Sequence, residues 1–304
     1  MTKRTRATAA ELLSEFPAAI RAPLRALLDP PGFCGVIPAA DAQRLSSELK
    51  QPIETLMFTL LPFAQCYARA SISDFWVGEV GRGLTGNLYF GCNMEFTGEM
   101  LGFSVQGEQS TTVNAWVHGE EGLSAIALPA PPCGYCRQFL CELGTASQLR
   151  ILVPERPPTT LADLLPDHFG PHEFGLEGRL MKKENHNLML REISTDPVVL
   201  AALSAANMSY APYTHSYSGV AVSASNGRIY RGPYAESAAF NPSMSPIQAA
   251  LSCFNLGGER FDAIRKVVLV EIPDAKVSQV TATRAVLKSI SKARLSVVHA
   301  VPAR

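Results

Sequence analysis

Residues 104–139 read SVQGEQSTTVNAWVHGEEGLSAIALPAPPCGYCRQF, and most of what can be said of this chain starts from them. The stretch from about Gly102 to His118 has helical texture, LSAIALP (123–129) that of a short buried strand, and Cys133 to Leu143 that of a second helix. Helix, strand and helix in succession predict an α/β layout. A Cys-x-x-Cys pair (Cys133, Cys136) at a strand-to-helix junction has two common meanings, a redox dithiol or half of a metal site. Pro132 before the pair, Arg137 after it and Glu108, 25 residues ahead of Cys133, favour the metal. Helix N-termini carry partial positive charge and unpaired N–H groups, which stabilise thiolates at such a position.

Upstream of this stretch, FWVGEVGRG (75–83) and NLYFGCNM (87–94) predict strands separated by a glycine turn, and RILVP (150–154) a further one. Residues 8–28 have helical apolar spacing broken by Pro17 and Pro23, and 41–70 read as a long helix despite Pro52 and Pro62. Residues 154–180 are Pro-rich and suit a linker. These signals divide the chain into an N-terminal helical segment (1–50), a first α/β domain (51–153), a linker (154–190) and a second domain (191–304).

The second domain repeats the first. At an offset of 141 residues Gly78 matches Gly219, Gly86 matches Gly227, Tyr89 matches Tyr230, Gly91 matches Gly232 and Glu95 matches Glu236. Self-similarity of this kind marks a duplicated unit. Past Glu236, with a two-residue gap, positions 106 and 108 fall on Ser245 and Ile247, and no second Cys-x-x-Cys follows. The second copy is expected to be structural.

Lys and Arg number 27 and Asp and Glu 27, so the formal net charge is +0. A polynucleotide binder needs a basic footprint to offset phosphates, which disfavours nucleic acid and favours a small neutral substrate. The longest apolar runs, such as ETLMFTLLPFA (54–64), fall short of a bilayer span, and MTKRTRATAAELLSEF turns polar too early for a signal segment. With seven cysteines, two at metal-ligand spacing, a reducing cytoplasm is the expected compartment.

Phe75, YFGCNMEF (89–96), GEQ (107–109), NAW (114–116), PCGYCRQF (132–139), FGP (169–171), AESAAFNP (235–242) and the Leu-rich tail together resemble the homodimeric zinc-dependent cytidine deaminases of bacteria and plants, over almost the whole chain. The resemblance implies a three-layer α/β/α sandwich, duplicated, with a small N-terminal helical segment. It implies hydrolytic deamination of cytidine and 2′-deoxycytidine to the uridine nucleosides and ammonia by zinc-activated water. Zinc deaminases carry His-x-Glu followed by Pro-Cys-x-x-Cys, the Glu moving protons without binding the metal. By that pattern Glu108 is the acid–base and Cys133 and Cys136 bind Zn2+.

The pattern's His is Gln106 here, and its usual alanine is Gly107. An amide is neutral like imidazole, so two thiolates still balance the dication, but it is a weaker zinc ligand of different geometry. Ligation by Gln106 and an impaired site are both open on the sequence, and the alternative to turnover is a deaminase-like nucleoside binder. A deaminase for a modified cytosine nucleoside would share the mechanism. The resemblance further assigns Asn93 and Glu95 to the ribose hydroxyls, Phe75 to the pyrimidine ring, Gly107 to the substrate pocket, Phe169 to the neighbouring subunit's site in a homodimer, and Arg137 to hydrogen bonds with the thiolate sulfurs.

Overall fold

The computed structural model describes residues 8–16, 18–28 and 32–303; Pro17 and the polar start at 1–7, which bears on targeting, lie outside them. Along the chain come α1 (Ala9–Ser14), α2 (Ala18–Leu28), β1 (Val36–Ile37), α3 (Ala39–Leu49), α4 (Ile53–Gln65), β2 (Gly78–Gly83), β3 (Leu88–Cys92), α5 (Gly107–Val117), β4 (Leu123–Ala127), α6 (Gly134–Leu140), β5 (Arg150–Leu152), β6 (Thr159–Thr160) and α7 (Leu161–Leu164). The second half contains β7 (Leu188–Leu190), α8 (Pro197–Asn207), β8 (Ser218–Ala224), β9 (Ile229–Pro233), α9 (Pro246–Leu256), β10 (Ile264–Glu271), α10 (Val280–Ile290) and β11 (Leu295–Pro302).

The helix expected over 41–70 is two helices. Lys50 ends α3 in the left-handed region (φ 52), its N–H turned back to the carbonyls of Ser46 and Ser47. Pro52 then caps α4, and with no N–H to donate it cannot continue a helix from residue 48. Pro23 and Pro62 lie inside α2 and α4. The expected linker (154–190) is mostly irregular, although β6 joins the first sheet and β7 the second.

The first sheet has the order β1-β3-β2-β4-β5-β6 and the second β7-β11-β10-β8-β9. In each, an antiparallel hairpin (β2–β3, β8–β9) is extended by an antiparallel strand (β4, β10), then by a parallel one (β5, β11). Side chains alternate across β10: Val267 and Leu269 enter one core, Val268 and Val270 another. Helix α4 covers one face of the first sheet through Leu56, Met57 and Leu60, and α8 covers the outer face of the second. Between the sheets α5 and α9 pack together, and one core joins Val113 and Trp116 to Ile247, Leu251 and Phe254.

Each position matched by the repeat does the same physical work in both copies. A Cβ on Gly78 would lie 2.0 Å from the Gln65 nitrogen of α4, and one on Gly219 2.3 Å from the Ala206 nitrogen of α8. Gly91 lies against α5, where a Cβ would stand 2.0 Å from Thr111 Oγ1 and 2.4 Å from its nitrogen; Gly232 lies against α9, 2.1 Å from the Ala250 nitrogen. Gly86 and Gly227 turn the two hairpins at φ +88 and +85. Tyr89 donates to Glu120 at 3.0 Å and Tyr230 to Glu259 at 2.9 Å. Glu95 accepts from Ile72 and Ser73 N–H, and Glu236 from Tyr213 and Thr214 N–H, each clasping the loop before its hairpin.

The helices α5 and α9 are buried on nearly every side, so α5 must satisfy its polar residues internally. Ser110 and Ser252 hydroxyls meet at 2.7 Å, and the Asn114 amide donates to the carbonyls of Gly35 and Phe90. Gln109 Nε2 donates to Pro242 O ahead of α9, while Gln248 Nε2 donates to Phe103 O and Ser104 O ahead of α5, a reciprocal clasp. Because a Cβ at 91 would meet helix backbone, Thr111 N and Gly107 O, as well as the Thr111 hydroxyl, Gly91→Ala is expected to lower the unfolding free energy by about 1–3 kcal/mol, typical of overpacking. Urea denaturation of both proteins measures this, and equal midpoints would contradict the close approach.

Candidate active site

The starts of α5 and α6 lie together at this site, and α5 begins at Gly107 rather than at about Gly102 as the sequence texture suggests. Gln106 is the N-cap of α5, with extended backbone (φ −85, ψ 155), and its N–H donates to Gln109 Oε1 at 3.3 Å. Ser245 begins α9 in the same way, its N–H donating to Gln248 Oε1 at 2.9 Å, so the gapped alignment of the copies holds at this residue. Cys133 is the N-cap of α6 and Cys136 lies in its first turn, their sulfurs 3.5 Å apart.

The two thiols differ. Cys133 is exposed, and its pKa is lowered to about 5 by the hydrogen bond with Cys136, with the N–H groups of Cys136 and Tyr135 and the charge of Arg137 adding to it. Cys136 is buried, and its pKa is pushed up because it faces the Cys133 thiolate in an apolar setting, with Glu108 adding like charge. Glu108, 5% exposed, hydrogen-bonds Cys136, and burial raises its pKa.

A fourth acid completes the cluster, and the sequence reading did not single it out. Glu79, the second residue of β2 and opposite Gly91, is 2% exposed and faces α5. Its carboxylate fills the space beside Gly107, where a Cβ would lie 2.2 Å from Glu79 Oε1. Burial, then the charge of Glu108, raises its pKa well above the carboxylate range, and Cys133 contributes to the same shift. Its Oε2 is buried without a hydrogen-bond partner among the described residues. Two sequence signals pointed here: a lone Glu in the otherwise apolar and glycine-rich start of β2, and glycine instead of alanine at 107.

Like charges this close cannot all ionise, so the cluster is held by protons or by a cation. The donors suit zinc. Two sulfurs at about 2.3 Å from a tetrahedral ion stand about 3.8 Å apart, so the pair needs to open by only about 0.3 Å. Among the described residues no three His, Cys, Asp or Glu side chains stand in a finished ligand set, and bringing them onto one ion requires side-chain movement. His118 closes the far end of α5, where it contacts Asn114 O and Cys34 Sγ.

Of the other predicted residues, Arg137 differs from expectation. Its Nε donates to Pro132 O and its Nη1 to Leu164 O, so it acts on Cys133 through charge and through the loop it ties down. Asn93 is buried and uses its amide to fix the loop ahead of β2, accepting from Val77 N–H and donating to Phe75 O. Phe75 is 63% exposed and Phe169 48%, and Phe169 packs edge-on against Phe174. Gly107 is buried, the room left by its missing side chain taken by Glu79.

A duplicated α/β frame that sets a buried glutamate beside a Cys-x-x-Cys pair defines the zinc-deaminase class. A family model described as the cytidine and deoxycytidylate deaminase zinc-binding region matches residues 161–284, which lie largely in the second copy. A protein named cytidine deaminase from Yersinia pestis (strain Pestoides F) is 44% identical over 277 residues, covering 91% of this chain and 94% of its own. One of the same name from Vibrio vulnificus is 48% identical over 236 residues, 78% of this chain and 79% of its own. Solved cytidine deaminases from Mycobacterium tuberculosis (35% identity, TM-score 0.33, 35% of this chain and 89% of theirs) and Burkholderia pseudomallei (28%, 0.34, 38% and 98%) are also similar. The chain belongs to the cytidine deaminase family.

In protein stripped of metal, Cys133 is expected to be alkylated by iodoacetamide well before Cys136. A pKa lowered from 9.0 to about 5 puts the thiolate in the majority above pH 5, so the rate should rise through about pH 5 and level off below neutrality. Peptide mapping by mass spectrometry reads this out, and a midpoint near the ordinary thiol pKa of about 8.5 would contradict it.

Proposed function

We propose that this chain hydrolyses cytidine and 2′-deoxycytidine to uridine and 2′-deoxyuridine, one water entering at C4 and ammonia leaving, in pyrimidine salvage. The observation that carries the reading is Glu108 buried against the thiol pair, in a chain whose relatives of 44–48% identity bear the name cytidine deaminase. Cys133 and Cys136 would hold zinc. Bound there, zinc supplies Lewis acidity, which lowers the pKa of water towards about 7.

Glu108 takes the proton of the attacking water, delivers one to the ring N3 and returns one to the departing amino group. Its burial serves both halves of that cycle, because a carboxyl with a raised pKa holds the proton longer and transfers it more readily near neutral pH. Arg137 keeps Cys133 ionised through its charge. Asn93 sets the loop that carries Phe75, whose ring would cover the pyrimidine, and Glu95 would accept from a ribose hydroxyl in place of the Ser73 hydroxyl it now holds.

The exposed rings of Phe75 and Phe169 support a homodimer in which Phe169 closes the neighbouring subunit's pocket. No helix among the described residues is long and apolar enough to cross a membrane. We place the chain in a reducing cytoplasm, where its seven cysteines, all outside disulfides, persist as thiols. Binding without turnover is less well supported, since Glu108 and both thiols remain packed together.

Glu108→Gln should keep the zinc and lower ammonia release from cytidine by about 10²–10⁴-fold, the usual cost of a lost acid–base group. Retained activity would remove its role. Light scattering at micromolar concentration should give a mass near twice 32.8 kDa, and a monomer would exclude the shared pocket.

A further inference from the structure

The carboxylate of Glu79 meets Glu108 and the Thr111 side chain, and one of its oxygens is left over. It sits at the start of β2, 2% exposed, one oxygen without a partner among the described residues, beside a second buried carboxylate. A buried acid with an oxygen left unpaired is costly, and where buried charges persist they are paired or coordinate a metal. Its neighbours within the site are Glu108, Cys133 and Thr111. Only the missing side chain at Gly107 gives it room, since the first carbon of any other residue would overlap Oε1. Gln106, by contrast, offers a half-buried amide whose backbone is fixed at the helix cap.

Catalytic zinc sites use three protein donors and leave a fourth position open, and carboxylate oxygen is an ordinary donor. Cys133 and Cys136 supply two, and Glu108 is needed for protons. We propose that Glu79, rather than Gln106, is the third protein ligand of the zinc site, and that Gly107 is glycine to admit it. This rests on the deaminase reading above. The site would then carry one more negative charge than a site with two thiolates and a neutral third donor.

The test is zinc affinity of metal-stripped protein, by competition with a chromophoric chelator, together with the visible spectrum of the Co2+-loaded protein. Wild type should bind one zinc per chain. Glu79→Gln, close to isosteric, should weaken binding by more than about 100-fold, beyond the 10–100-fold usual for outer partners, while Gln106→Ala changes it less than about threefold. The cobalt spectrum should change with the first substitution and not the second. Gly107→Ala, which pushes the carboxylate aside, should weaken zinc at least about tenfold alone and add nothing in a Glu79→Ala background; it carries the test if melting curves show that Glu79→Gln does not fold. Wild-type affinity and spectrum in folded Glu79→Gln, or a large loss confined to Gln106→Ala, would overturn the assignment and leave the deaminase reading standing. No zinc uptake by wild type, or unchanged uptake in Cys133→Ala, would overturn both.

Discussion

The approach of α5 to β3 constrains everything else in this chain. Gly91 lets the helix backbone come within contact of the strand, the Ser110 hydroxyl accepts from Cys92 N–H, and Asn114 holds the carbonyls of Gly35 and Phe90. A side chain at 91 would push the helix away and carry Gln106, Gly107 and Glu108 with it. The same contact recurs at Gly232 and α9. The two central helices then clasp through Gln109 and Gln248, so the position of the first copy's helix start is fixed by the second copy as well. The second copy is the wall against which the helix start of the first is held.

Placed there, the helix start brings Glu108 to Cys136 and leaves Glu79 beside Glu108, within the field of Cys133. An exposed thiol, a buried one and two buried carboxyls disfavour one another's charge, and the protein meets this by assigning different protonation states: Cys133 ionised at a helix cap, Cys136, Glu108 and Glu79 pushed up. Divergent pKa values among neighbouring acids are how a site divides nucleophile, ligand and proton carrier among similar groups. A divalent ion reverses the logic, favouring ionised donors. The stability sacrificed to bury such groups is the usual signature of a functional site.

Glu95 and Asn93 illustrate a second theme. Both hold the loop ahead of β2, through bonds to Ile72, Ser73, Phe75 and Val77. Glu236 holds its own loop in the same way in the second copy, which has no second Cys-x-x-Cys. The carboxylate at this position is therefore first a clasp, on which ligand recognition can be superimposed.

Much of this was legible in the linear sequence because its cause is local. Glycines at a fixed offset announced two copies, since a helix pressed on a strand tolerates nothing larger. The Cys-x-x-Cys spacing and the glutamate ahead of it announced metal chemistry, since ligands three apart share a helix start. The break at Lys50 was missed because apolar spacing runs on across it, and only the left-handed cap and the missing N–H of Pro52 divide the helices. Glu79 was missed for a deeper reason. It lies 29 residues from Glu108 and 54 from Cys133, and nothing in its neighbours states which face of β2 it occupies or what stands opposite. Sheet register and the depth of α5 decide that, through the gap at Gly107. The sequence by itself determined the duplicated frame and the acids named by spacing; the tertiary structure alone decided that a further carboxylate shares their site, because burial and like-charge contact exist only once strand and helix are packed together.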